Sequence, residues 1–387
     1  MSDTCADGVY ARLGVRPVVN AAATLTAVGG SLMPTEVLEA MADAASTHVD
    51  MHELHTAVGR RIAELTRNEA AYVTSGCAAA IVLAVLGCIT RGDPRKIARM
   101  PEGTGLPTEV VMHCSHRIPY DPAVNLAGAQ VVQVGNALQT FEWELEAALS
   151  ERTAAVLYVA GVHLGAAALD LATTVRIAHA HNVPVIVDAA AQLPPHSNLW
   201  DLTTKHGADL ALFSGGKGLH GPQASGFMVG RADLVAAAAA NGAPHQRLAR
   251  AMKAGKEEIV GLLRALELYL DRDHDADRAR WESIVERWVA DLDGAEGLQA
   301  RRCFPNEAGQ PVPRVRITIN SSRQATAADL ADQLWGGIPR LMVLRDGIDA
   351  FYLTPDTLTE EQQSYVSQHI LATVQAMTAD TAEAVRV

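Results

Sequence analysis

The sequence is short of positive charge. It carries 32 lysines and arginines against 44 aspartates and glutamates, a formal net charge of −12. No basic run is present. The clustered Lys and Arg that phosphate contacts demand are therefore missing, and nucleic acid is not expected as a partner. Cysteine is scarce too. Cys5, Cys77, Cys88, Cys114 and Cys303 are scattered, with no CxxC and no metal spacing. That pattern predicts no metal site and a reducing, cytoplasmic location. No charged start with an apolar stretch follows Met1, so no signal peptide is expected. Leu234–Ala240 is too short to span a bilayer, and no membrane association is expected. There is no internal repeat, and no low-complexity segment beyond alanine richness. A P-loop is also absent: Lys217 is followed by Gly218, not by Ser or Thr.

What is present is ample for a core. The chain has 387 residues, of which 49% are hydrophobic, enough for one large and one smaller domain. Apolar strand candidates are 71–74, 110–114, 130–134, 154–160, 183–188, 208–213 and 226–229. Helical patterns at 78–89, 142–150 and 173–181 lie between them. This alternation predicts an α/β fold with a mostly parallel sheet and helices on both faces. A helix from Lys256 to about Arg272 leads into a charged, solvated run (271–280). The domain boundary is expected there. Beyond it, strands are expected at 314–319 and 341–344.

Three segments carry the chemistry. The first runs from Phe213 to Gln223 and holds Lys217 among Gly215, Gly216, Gly218 and Gly221. It predicts a lysine on a flexible glycine turn at a strand end, where the backbone can approach a ligand or take up φ > 0. A lysine so placed can form a Schiff base. A plain surface turn is the alternative. The second segment, Val183–Gln192, is a β-branched run ending on Asp188 at the edge where open α/β sheets bind ligands. An acid there can keep a pyridinium nitrogen protonated, with Ala189 and Ala190 small enough to admit a flat ring. The alternative is a helix N-cap. In the third, Ala71–Ala80, a strand runs through Ser75 and Gly76 into an alanine-rich helix beginning near Cys77. Its N–H groups and hydroxyl form an anion site, or only a helix cap.

Phosphate cup, aspartate and lysine in this order resemble the fold-type I pyridoxal-phosphate enzymes. Four stretches, 18–31, 52–59, 214–223 and 252–258, are similar to the selenocysteine-synthase-like branch. That branch includes L-seryl-tRNA(Sec) selenium transferase and D-glucosaminate-6-phosphate ammonia-lyase. The resemblance covers nearly the whole chain. It implies pyridoxal 5'-phosphate as cofactor, a seven-stranded sheet sandwiched by helices, and a smaller α+β C-terminal domain. It also implies three regions: 1–45 joining the small domain or dimer interface, a large domain at 46–272 and a small one at 273–387. A homodimer or a ring of dimers follows as an expectation. The tRNA-dependent relatives carry an additional N-terminal tRNA-binding domain, whereas the recognisable region here begins near Val18, which also counts against a tRNA substrate.

By the same resemblance, His116 stacks on the cofactor ring, with His113 the competing candidate and Arg117 and Tyr120 nearby. Gln192 is a candidate for the cofactor hydroxyl, although it follows Asp188 by four positions where the related enzymes have three. Ser214 is a candidate for the phosphate. Asn20, Thr26 and Arg117 are expected on the substrate side. The strand 339–345 offers Arg340 and Arg345, on opposite faces, for a substrate carboxylate, and the resemblance favours Arg345. Lys253 and Lys256 are candidates for a partner subunit's phosphate.

The implied chemistry starts with Lys217 removing an α-proton as general base while Asp188 keeps the ring nitrogen protonated. Elimination of a β-hydroxyl from an amino acid or amino sugar acid is favoured, giving a 2-oxo acid and ammonia. Racemisation or epimerisation, transamination, and selenium- or sulfur-transferase-like β-replacement are the alternatives. A catalytically silent scaffold is the alternative outside enzymology.

Overall fold

The computed structural model describes residues 8–319 and 325–384; Cys5 lies outside them. Its strands, in chain order, are β1 (Val18–Asn20), β2 (Ala70–Thr74), β3 (Glu109–His113), β4 (Gln130–Val134), β5 (Thr153–Val159), β6 (Val185–Asp188), β7 (Leu210–Ser214), β8 (Gly226–Gly230), β9 (Leu298–Cys303), β10 (Arg314–Ile319), β11 (Arg340–Met342), β12 (Leu344–Asp346) and β13 (Ala350–Leu353). The chain divides into two compact units. One comprises residues 31–272 with 307–310, and the other 8–30 with 273–306 and the described residues from 311 onward.

The larger unit is built on a seven-stranded sheet of order β2-β8-β7-β6-β5-β3-β4. The pairs from β7 through β4 are parallel, whereas β8 runs antiparallel to both β2 and β7. Alternation along the strands covers both faces. On β6, Val185 and Val187 enter one apolar cluster and Ile186 the other. All four residues of β6 are buried, as a strand covered on both sides requires. The helix Cys77–Thr90 buries twelve of its fourteen residues, which explains why it is apolar all round.

The register of β8 decides where the site lies. Its first residue, Gly226, pairs with Thr74 on one side and with Ser214 on the other. The reversed strand thus brings the ends of β2 and β7 to the same edge as the ends of β6 and β5.

The smaller unit contains an antiparallel sheet of order β12-β13-β10-β9 and a parallel pair, β1 with β11. Its core is packed by Trp281, Trp288, Phe351 and aliphatic neighbours, with Trp288 Nε1 donating to the Gln363 carbonyl at 2.9 Å.

One expectation changes here. The stretch 339–345 is not one strand. Met342 ends a strand that serves β1, and Leu344 begins one that pairs with β13. The two halves sit in different sheets, so simple alternation does not relate Arg340 to Arg345. The run 271–280 is largely solvated, with seven of its ten residues exposed, and it also starts a helix. Asp273 caps a nineteen-residue helix, His274–Leu292, accepting from the Asp275 and Ala276 N–H groups, and Asp277 is buried against Arg280 at 2.8 Å.

Candidate active site

The anion cup forms where β2 ends. Gly76 has φ +121, a conformation L side chains rarely adopt, and it caps the helix Cys77–Thr90. Thr74 Oγ1 donates to the Gly76 carbonyl at 2.9 Å and fixes the turn. The free N–H groups of the helix's first turn and its dipole then favour a negative ligand. Strand β8 passes directly beneath. A Cβ on Gly226 would lie 2.6 Å from Gly76 C and 2.8 Å from Cys77 N, both main-chain atoms. Gly226→Ala is therefore expected to cost about 1–3 kcal/mol in thermal unfolding and to weaken cofactor uptake in a spectroscopic titration. Wild-type values for both would show that the cup does not depend on this close approach.

Asp188 ends β6 and is only 6% exposed. Its Oδ1 accepts the Ala190 N–H at 3.0 Å and the Cys77 thiol at 3.4 Å. Burial pushes its carboxyl above the usual range, opposed by these two donors and by the positive charge of Lys217. Burial also pushes the Cys77 thiol well up, with the Asp188 charge adding to the effect, so the thiol keeps its proton.

Lys217 lies half-buried on the loop between β7 and β8. That loop is tightly packed, a correction to the flexible turn expected from its glycines. Gly215 N donates to Ser225 O at 2.9 Å, Gly221 N to Gly215 O at 2.8 Å, and Ser31 N to Gly216 O at 3.1 Å. None of the four glycines has positive φ; the left-handed residue is His220, at φ +58. They are small because neighbours press on them: a Cβ at Gly218 would lie 2.1 Å from the Leu193 carbonyl oxygen.

The other expected residues divide into groups. Ser214 stands half-buried beside Gly226 at the lysine edge. Ala190 is there too, its N–H committed to Asp188. His113 and His116 are both 0% exposed, so the open stacking face expected of His116 is absent. The His116 ring instead meets Tyr158 edge-on, centroids 4.4 Å apart, and its Nδ1 accepts the Val159 N–H at 3.3 Å. Burial pushes His113 down to about 4 and His116 down to about 3, with His113 contributing to the latter, so both are neutral. Tyr158 went unnoticed in the sequence because it lies inside an apolar strand.

Gln192 spends its amide on the Ala191 and Ala308 carbonyls, each at 3.1 Å. Arg117 is pinned by Asp121 at 2.5 Å and Gln133 at 3.2 Å, and Gln133 is on β4 at the far edge of the sheet. Lys256 pairs with Glu257 at 2.9 Å and reaches the Ala44 carbonyl.

Asn20, Thr26 and Arg345 belong to the smaller unit. Asn20 closes its own turn, donating to the Ala23 carbonyl at 2.8 Å, and Thr26 opens a short 3-10 turn. Arg345 is paired with Asp332. The Arg340 guanidinium lies over the Trp335 ring at 4.7 Å, with Nε buried and without a hydrogen-bond partner.

The cup, the buried carboxylate and the lysine fit pyridoxal phosphate: a site for its phosphate, an acid for its ring nitrogen and an amine for its aldehyde. Among the described residues, no group of three or more His, Cys, Asp or Glu is placed to hold a metal ion. No described helix is long and apolar enough to cross a membrane.

The chain is similar to known proteins along most of its length. Residues 18–300 match the family described as "SelA: L-seryl-tRNA selenium transferase". The chain is 35% identical over 368 residues to a D-glucosaminate-6-phosphate ammonia lyase of Salmonella typhimurium, covering 92% of this chain and 95% of that one. It is 37% identical over 347 residues to a 5'-C-glycyluridine monooxygenase-decarboxylase of a Streptomyces species, covering 87% and 84%. A solved structure of D-glucosaminate-6-phosphate ammonia-lyase superposes with a TM-score of 0.83 at 34% identity, covering 95% of this chain and 98% of that one.

Proposed function

The chain belongs to the L-seryl-tRNA selenium transferase family, within the fold-type I pyridoxal-phosphate enzymes, and from that premise we propose that it is an ammonia-lyase acting on an amino sugar acid or other β-hydroxy amino acid. What carries the reading is the meeting of lysine, buried acid and helix N-terminus on one sheet edge. They do so in a chain similar along nearly its whole length to a D-glucosaminate-6-phosphate ammonia lyase. Bound there, pyridoxal phosphate supplies an electron sink for the charge left when a substrate α-proton is removed.

The chain's own residues do the rest. Ser75, Gly76 and Cys77 hold the phosphate through the helix N-terminus, with Ser214 beside them. Asp188, buried and shielded from water, would serve the ring nitrogen, where a carboxylate favours a proton. Lys217 would hold the cofactor through its amine, and the same amine is the base placed to take the substrate α-proton. Of the two arginines considered for the substrate carboxylate, the family resemblance favours Arg345, which pairs with Asp332 at the surface, and Arg340, stacked on Trp335, is the alternative. Loss of the α-proton and the β-hydroxyl releases water, and hydrolysis of the remaining C–N bond takes one up. The products are a 2-oxo acid and ammonia. The family likeness and scarce cysteines support a homodimer or ring of dimers in a reducing cytoplasm.

A second reading follows from the likeness to a monooxygenase-decarboxylase, whose name implies oxygen uptake and carbon dioxide release. Ammonia and 2-oxo acid released from D-glucosaminate 6-phosphate by the cofactor-loaded protein, in air and without oxygen, separate the two. Equal ammonia in both conditions is expected. Oxygen-dependent carbon dioxide release would favour the second reading. Neither product, there or across a panel of β-hydroxy amino acids, would overturn the lyase.

A further inference from the structure

We propose that the Cys77 side chain is a positioning residue: with the Ala190 N–H it holds Oδ1 of Asp188, leaving Oδ2 as the oxygen that serves the cofactor's ring nitrogen. The inference rests on the cofactor reading above and adds a role for a side chain that the phosphate cup does not use.

Three observations carry it. Both donors converge on the same oxygen, Cys77 Sγ at 3.4 Å and Ala190 N at 3.0 Å. No hydrogen-bond donor among the described residues meets Oδ2. Asp188 and Cys77 are both buried, so water does not take over either contact. A buried carboxylate with a single donor can swing about its last bond and present either oxygen. Two donors of different origin, one main-chain and one from a neighbouring helix, remove that freedom. Because burial and the adjacent negative charge keep the thiol protonated, Cys77 can only donate here. A donor to the charged form also favours the ionised carboxylate, the form that keeps a pyridinium proton in place. The Cys77 main-chain N–H belongs to the anion cup whatever the side chain, so substitution separates the two roles.

The test loads wild type, Cys77→Ala and Cys77→Ser with pyridoxal phosphate isotopically labelled at the ring nitrogen. It then reads cofactor affinity, the nitrogen resonance, kcat and KM. Cys77→Ala is expected to bind cofactor with near wild-type affinity and to lose about tenfold in kcat with little change in KM. Its nitrogen resonance is expected to move toward the unprotonated position. Cys77→Ser, which restores a donor of similar size, is expected to recover most of both. A Cys77→Ala protein with the wild-type resonance would overturn the inference, whether or not kcat fell, since a packing defect alone moves activity without moving the nitrogen. A serine variant no better than alanine in the resonance would overturn it equally. Failure of the wild-type protein itself to load would overturn the cofactor reading, and this inference with it.

Discussion

Lys217→Ala is expected to fold normally and to lose at least a thousandfold in ammonia release. The loss combines two roles, the covalent hold on the cofactor and general-base removal of the α-proton, and the second alone accounts for about 10²–10⁴. The fold should survive because the loop is held by main-chain bonds that the side chain does not make, from Gly215 to Ser225 and from Gly221 to Gly215. Circular dichroism and thermal unfolding should therefore match wild type. A small exogenous amine should restore part of the rate, since the missing group is a base with room around it. Full activity in the alanine variant would remove Lys217 from the mechanism. Loss of activity together with loss of fold would leave the role to Lys217→Met, which keeps the stem length without the amine and should be equally inactive.

Asp188→Asn is expected to separate stability from catalysis. The amide can keep its oxygen on the Ala190 and Cys77 donors, so the local contacts persist. Burial penalises the charged carboxyl at this position, so replacing it with a neutral group should leave unfolding stability unchanged or slightly raised. Catalysis should suffer, because a neutral amide cannot hold a proton on the ring nitrogen, and the electron sink weakens. A fall of about a hundredfold in kcat is expected, the scale for one preorganised electrostatic partner in a buried site. Cofactor should still bind, through the cup and Lys217. Wild-type kcat in this variant would mean that the ring nitrogen is served by another group. A large stability loss would mean that Asp188 is a structural residue instead.

Much of the large sheet was legible in the sequence because its strands are buried on both faces. Val185, Ile186 and Val187 read as an apolar β-branched run for the same reason that they fill two clusters. The position of Asp188 followed, as it closes that run. The helix start at Gly76, which the cup reading needs, was legible from Ser75-Gly76 ahead of an apolar run. What was not legible depended on partners remote in the chain. The break at Val343 is set by β1, more than three hundred residues earlier, which claims β11 for its own sheet. The Cys77–Asp188 contact joins residues on separate elements, and nothing local marks either as a hydrogen-bonding pair. The glycines around Lys217 misled for a different reason. Glycine signals either a special φ or a close neighbour, and here the neighbours come both from another segment, as Leu193 does, and from the far end of the same loop, as Ser225 does. His116 shows the same limit, because a strand end predicts proximity to the ligand edge but not which rings Tyr158 covers.

The cofactor's point of attachment is the most direct test of the site. Protein loaded with pyridoxal phosphate, reduced with borohydride, digested and analysed by mass spectrometry should carry one pyridoxyl group, on the peptide containing Lys217. An unlabelled Lys217, or label spread over other lysines, would contradict the site described here.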